Sequence, residues 1–158
     1  MFKIFVFFYI LLNSISIEYK DYYQFVSKEI KIFDKIPEII VHEEVLAVYS
    51  GPITTYGPDC RGCIGITASG YDVRNTIYYN DIEYGSVHIV AADKSLPFGT
   101  IVRILNIDSE PIIAIVLDRG GAIGFNKNAY FDLLYPSEYE TLSFGKKYAQ
   151  IEILRYGF

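Results

Sequence analysis

From residue 44 onward, apolar and polar positions alternate along most of the chain, and a period of two predicts strands rather than helices. Residues 44–50, EVLAVYS, read as a strand, Gly51-Pro52 as a turn, and residues 53–56, ITTY, as a return strand ending at Gly57-Pro58-Asp59. A long glycine-spaced loop is predicted from residue 60 to about 84. Gly62, Gly65 and Gly70 permit positive φ there, and Thr67 and Ser69 place two hydroxyls on a turn. Residues 85–92, GSVHIVAA, form an almost unbroken apolar strand in which Val87, Ile89, Ala91 and Asp93 share a face, while His88 alternates away as an exposed or hydrogen-bond-satisfied histidine. The turn LPFG leads into the strand TIVRILNI over residues 100–107, and residues 108–111 turn again into a strand that ends at Asp118.

That strand puts Ile112, Ala114, Val116 and Asp118 on one face, so the alternation carries a carboxylate onto an apolar surface before Arg119-Gly120-Gly121 breaks it. Fourteen residues after Asp118, a short strand within residues 129–135 sets Asp132 between Phe131 and Leu133, and Pro136 ends it. Ser137 and Glu140 have the spacing of a capping box and Gly145 suits the far end, so one short helix is expected, followed by a final strand in residues 148–158. There is no internal repeat and no low-complexity segment.

The first 42 residues behave differently. Residues 1–16 combine an early Lys, an apolar run over residues 4–12 and the small-x-small Ser14-Ile15-Ser16, the pattern of a secretory signal peptide. The run is shorter than the ~20 residues a membrane-spanning helix needs, so no stable membrane anchor is expected; the alternative is a buried N-terminal strand, but nothing in the run alternates. Residues 17–42 mix charges with Tyr, Phe and Ile without a clear period and read as a linker or arm. Residues 43–158 form the domain.

Composition agrees with a mostly β domain. Half the chain is apolar, enough for a core without metal or disulfide staples, and the 16% aromatic content is Tyr and Phe with no Trp. A net charge of −5, with its 14 basic residues scattered, argues against nucleic acid as a partner.

Asp93, Asp118 and Asp132 each end or interrupt an apolar strand. Any one alone is an aspartate accepting turn N–H bonds. Three in one small domain raise a second reading, because carboxylates that are desolvated and close together raise one another's pKa, and one can stay protonated near neutrality as a general acid. Cys60 and Cys63, in PDCRGC, are a local disulfide candidate for an exported chain. Zinc would need two further ligands, and His42 and His88 lack ligand spacing, so no metal is expected. A thioredoxin-type role lacks a βαβ context, and Gly120, Gly121 and Gly124 lack the lysine and following helix of a phosphate loop.

The segments GITASG at 65–70, IVAADKSLPFGTIVRI at 89–104 and VLDRGGAIGFNKNAYFDLL at 116–134 together resemble the 3D domain, a family named for three aspartates and similar to the catalytic barrel of membrane-bound lytic transglycosylase A. The resemblance covers about residues 48–154. It implies a six-stranded double-psi β-barrel with one short helix near the C-terminus. It also implies a secreted or cell-wall-associated enzyme, without cofactor and acting as a monomer, that cuts peptidoglycan between N-acetylmuramic acid and N-acetylglucosamine. On that resemblance Asp132 aligns with the catalytic acid, and Asp118 and Asp93 tune it and hold the sugar. Thr54, Thr55, Thr67, Ser69, Gly120 and Gly121 would line the groove. Two departures stand out. No counterpart of the second, sugar-gripping domain of lytic transglycosylase A is expected in these residues, and Arg119 follows Asp118 where a smaller residue is common, which would weaken an acid role for Asp118 and favour Asp132. A barrel that binds wall glycans or a partner hydrolase without cutting, or a thiol redox protein built on Cys60 and Cys63, are the other classes considered.

Overall fold

In the computed structural model the described residues are 44–157 and, before them, Gln24 alone; the signal peptide expected over 1–16, the linker or arm over 17–42, and His42 lie outside them. Seven strands and one short helix follow in the described part: β1 (Ala47–Tyr56), β2 (Tyr78–Asp81), β3 (Gly85–Ala91), β4 (Ile101–Leu105), β5 (Ile112–Asp118), β6 (Phe131–Leu134), α1 (Glu138–Thr141) and β7 (Lys147–Arg155). The strands pair in the order β2-β3-β5-β4-β7-β1-β6, and β6 pairs back onto β3. That last pairing closes six strands into a barrel and leaves β2 as a flap on β3. β1–β6 and β3–β5 are parallel and the other pairs antiparallel, so the barrel is mixed. The mostly β, closed six-stranded barrel with one short helix near the C-terminus is as expected.

Alternation sorts the apolar side chains into two cores. Ile53, Val90, Val102, Ile104, Ala114, Val116, Phe131, Leu133, Ile151 and Ile153 come from all six barrel strands and fill the interior. The opposite faces of β3 and β5, with Val87, Ile89, Ile115 and Leu117, form a second buried cluster with Val73, Leu134 and Leu154, against which Tyr56, Tyr71 and Tyr79 pack. Burial on both faces is why β3 and β5 read as nearly continuous apolar runs. Each fully buried Ile, Leu or Phe contributes ~1.5–3 kcal/mol, so the cores, rather than a staple, hold the domain.

Three local expectations are corrected. Gly51-Pro52 is not a turn, because β1 runs straight through it. β1 pairs with β7 over Ala47 to Ile53 and with β6 over Ile53 to Tyr56, so Pro52, which has no N–H, falls where the strand changes partners. Its carbonyl accepts from the Tyr130 amide at 2.7 Å, and a Cβ at Gly51 would run into the Tyr130 ring. The long loop expected to residue 84 contains β2, which forms a hairpin with β3. Its turn is tied by Asp81, whose Oδ1 accepts from the Glu83 and Tyr84 amides at 3.0 and 3.1 Å. YYND is short, partly exposed and polar at its end, which hides a strand from a pattern reading. The third correction concerns Asp118. The β3–β5 register slips between Val90 and Ala91, so that Ala91 faces Asp118 rather than Leu117. This irregularity turns the Asp118 side chain out of phase with Ala114 and Val116.

The start of the helix forms as its cap predicts: Ser137 is extended and its hydroxyl accepts from the Glu140 amide. Its far end differs from expectation, because the helix stops at Thr141 with Leu142 as its C-cap, and Gly145, with a φ of +66°, lies beyond it on the way to β7. Among the described residues no helix is long and apolar enough to cross a membrane.

Candidate active site

The site grows from the parallel pairing of β1 with β6, which sets Thr54 directly beside Asp132. The Thr54 hydroxyl donates to Asp132 Oδ1 at 2.7 Å. Two residues on, and therefore on the same face of β1, the Tyr56 hydroxyl donates to Asp118 Oδ2 at 2.6 Å. Asp118 Oδ1 accepts two backbone amides, from Ala68 and Arg119, both at 2.8 Å. β3 lies between the two carboxylate strands, and Ala91 is the register partner of both Asp118 and Asp132.

The two carboxyls have different surroundings. Burial pushes Asp132 up from its ordinary 3.8 to about 6; the Thr54 hydrogen bond opposes the rise, and the negative charges of Glu138 and Asp118 add to it. Burial, then the hydrogen bond and charge of Asp118, push the Tyr56 phenol well up as well, so it remains a neutral donor. The result is a carboxyl still partly protonated near neutral pH, beside a second carboxylate held by three donors. That pairing can deliver a proton and take one back.

Asp93 stands apart from this pair. On the loop after β3, its Oδ1 accepts from the Ser95 amide at 2.9 Å and its Oδ2 from the Phe125 amide at 3.3 Å, and these bonds hold it below the usual carboxylate range. Its charge acts on Arg119, so it joins two loops beside the site. Arg119 does not clamp the Asp118 carboxylate. Its guanidinium donates to the carbonyls of Leu96 at 2.6 Å, Asp118 at 3.2 Å and Ala92 at 3.4 Å, and it lies 4.2 Å over the Phe98 ring.

The groove-lining candidates separate in the same way. Thr54 touches the acid. Thr55, the partner of Leu133, alternates to the other face of β1. Thr67 is buried and its hydroxyl accepts from the Tyr71 amide at 3.0 Å and shares a 3.0 Å hydrogen bond with Ser69, so the pair builds the turn that presents the Ala68 amide to Asp118. A Cβ at Gly120 would meet the Ile123 side chain, and the Gly121 carbonyl accepts from Lys127 Nζ at 2.8 Å. Cys60 and Cys63 are joined as a disulfide in the loop after Gly57. His88 is satisfied as expected, with Nε2 2.5 Å from the Leu134 carbonyl, and burial lowers its pKa.

Tyr56, the Ala68 amide and Glu138 belong to the site but were not singled out by the sequence reading. Tyr56 was accessible to it, because it shares the Thr54 face; a backbone amide brought from 50 residues away was not.

No family model matches the chain. It is similar to the SPbeta prophage-derived uncharacterized protein YorM of Bacillus subtilis (strain 168), with 34% identity over 111 residues. The matched stretch covers 70% of this chain and 40% of that protein, so the chain spans about two fifths of its relative's length.

Proposed function

We propose that this protein is a secreted or wall-associated glycan-cleaving enzyme of the lytic transglycosylase type, acting on peptidoglycan with Asp132 as its acid and base. The observation that carries this reading is the partly buried Asp132 carboxyl, held by the Thr54 hydroxyl at 2.7 Å on a strand one removed from that of Asp118, with burial pushing its pKa up to about 6. In the reaction, Asp132 protonates the glycosidic oxygen as the bond to C1 of N-acetylmuramic acid breaks. As a carboxylate it then accepts the proton of the C6 hydroxyl, whose oxygen closes on C1 to form the 1,6-anhydro ring. The nucleophile belongs to the substrate, so one acid serves both steps. Asp118, held by Tyr56 and two amides, supplies negative charge next to the developing oxocarbenium ion. Two clefts open past the end of β6, one lined by Ile77, Tyr78 and Pro136, the other by Tyr135, Tyr139 and Leu142; neither is lined by Asp118 or Asp132, so their tyrosines would serve sugars flanking the reacting bond and not the bond itself.

The test is incubation of the protein and of Asp132→Asn with purified peptidoglycan, with products read by mass spectrometry. Anhydro-muropeptides from the first and none from the second are expected. Reducing-end products would make it a hydrolase, and retention on cell walls without any product would make it a glycan-binding barrel.

A further inference from the structure

Two of the donors on the Asp118 carboxylate stand at opposite ends of one stretch of chain. The Tyr56 hydroxyl reaches Oδ2 at 2.6 Å, and the Ala68 amide reaches Oδ1 at 2.8 Å. The chain leaves β1 at Tyr56 and comes back to the site at the turn built by Thr67 and Ser69, and the Cys60–Cys63 disulfide closes this connection midway. Its ends are anchored unequally. At the β1 end the Tyr135 amide donates to the Tyr56 carbonyl at 2.8 Å, the Gly57 amide to Glu138 Oε2 at 3.1 Å, and the Glu138 amide to Asp59 Oδ1 at 2.6 Å. A Cβ at Gly57 would collide with the backbone of Ser137 and Glu138, so this end is packed against the start of α1. At the other end the Ser69 amide donates to the Leu117 carbonyl at 3.1 Å, while the amides of Thr67 and Gly70 bond within the turn itself. Between the anchors, the Cys60 amide donates to the Gly57 carbonyl at 3.2 Å and the Cys63 amide to the Cys60 carbonyl at 2.8 Å, both inside the connection.

We propose that the Cys60–Cys63 disulfide is a redox-controlled positioning element of this site: when oxidised it shortens the path from the anchored end of β1 to the turn and so keeps the Ala68 amide on Asp118. Its effect on cleavage rests on reading Asp118 and Asp132 as the reacting pair. Global stability is not what the bond serves. With a sequence separation of 3 it closes too small a ring to remove much entropy from the unfolded chain, and the apolar cores hold the domain. Cys63 is exposed and Cys60 partly so, which opens the sulfurs to thiol exchange. A thiolate of an external dithiol attacks Cys63 Sγ, and Cys60 leaves as a thiolate and takes up a proton. The second thiol of the reagent then displaces Cys63, which is protonated in turn, so the protein gains two electrons and two protons and the dithiol becomes a disulfide. The opened connection is longer, and the Ala68 amide moves off the carboxylate.

The experiment compares the full chain in oxidised and in reduced dithiothreitol with Cys60→Ser/Cys63→Ser, reading amide exchange by NMR and peptidoglycan cleavage by product release. On reduction, exchange at Ala68 should speed up by about tenfold or more as its charge-assisted bond is lost, with the Leu133 amide of the buried barrel as the unmoved control. Cleavage should fall by at least about threefold, because one of the donors that orient Asp118 is displaced. The double serine variant should match the reduced wild type and ignore dithiothreitol; should it fail to fold, the reduced wild type decides alone. Unchanged exchange at Ala68 overturns the proposal, and so does loss of protection at Leu133, which would make the disulfide a staple of the whole domain. Cleavage at equal rates in both states also overturns it and leaves the glycan-cleaving reading intact. A response at Ala68 with no cleavage in either state removes that reading and supports the positioning role.

Discussion

Replacing the acid should make the protein more stable, and only above a defined pH. The native pKa of Asp132 is about 6 against an ordinary 3.8, so the folded state binds this proton more tightly than the unfolded chain does. Below about 3.8 both states are protonated and the carboxyl costs nothing. As pH rises toward about 6, the unfolded chain gains by ionising and the folded one does not, and above it the folded state carries the full penalty. A gap of about 2 pH units corresponds to ~3 kcal/mol at most, and partial solvation of the site reduces it to ~1.5–3 kcal/mol. Asp132→Asn removes the ionisation and keeps an oxygen for the Thr54 hydroxyl. The assay is urea unfolding of both proteins at about pH 4 and about pH 8, reading the difference between them at each pH so that any packing cost of the amide cancels. On going from the lower to the higher pH, Asp132→Asn should gain ~1.5–3 kcal/mol over the wild type. A pH-independent difference, or a loss, would refute the buried, proton-retaining carboxyl on which the mechanism depends.

Tyr56→Phe removes the 2.6 Å bond to Asp118 and should lower stability by ~1–2 kcal/mol and glycan cleavage by at least about tenfold, measured by denaturation and product release. Asp93→Asn should leave the Asp132 titration midpoint within error of wild type, because the bonds of Asp93 go to Ser95 and Phe125, and should instead speed amide exchange at those two residues.

Much of the barrel was legible from alternation, because each strand's core face has to repeat every second residue and little in the loops obscures that period. The pattern failed where tertiary contacts override local signals. Gly51-Pro52 has the composition of a turn, yet the glycine makes room for the Tyr130 ring and the proline sits between two strand partners. Asp118 was picked out correctly as a charge in an apolar strand, but on the wrong face, since a register slip depends on the neighbouring strand and leaves no mark on its own sequence. The three aspartates share a sequence setting but not one site. Strand pairing unites Asp118 and Asp132 across Ala91, while Asp93, beyond the end of β3, ties loops.

Ala91 also determines what can vary in this protein. Because one residue of β3 has Asp118 on one side and Asp132 on the other, the two backbones stand two strand spacings apart, ~9–10 Å. That span is set by ladder hydrogen bonds and can change only in whole-strand steps. The loops that shape the clefts can therefore change in length and chemistry while the spacing of the two carboxylate-bearing strands stays fixed, so in the proposed reaction the gripping of a substrate and the geometry of its cleavage would be mechanically independent.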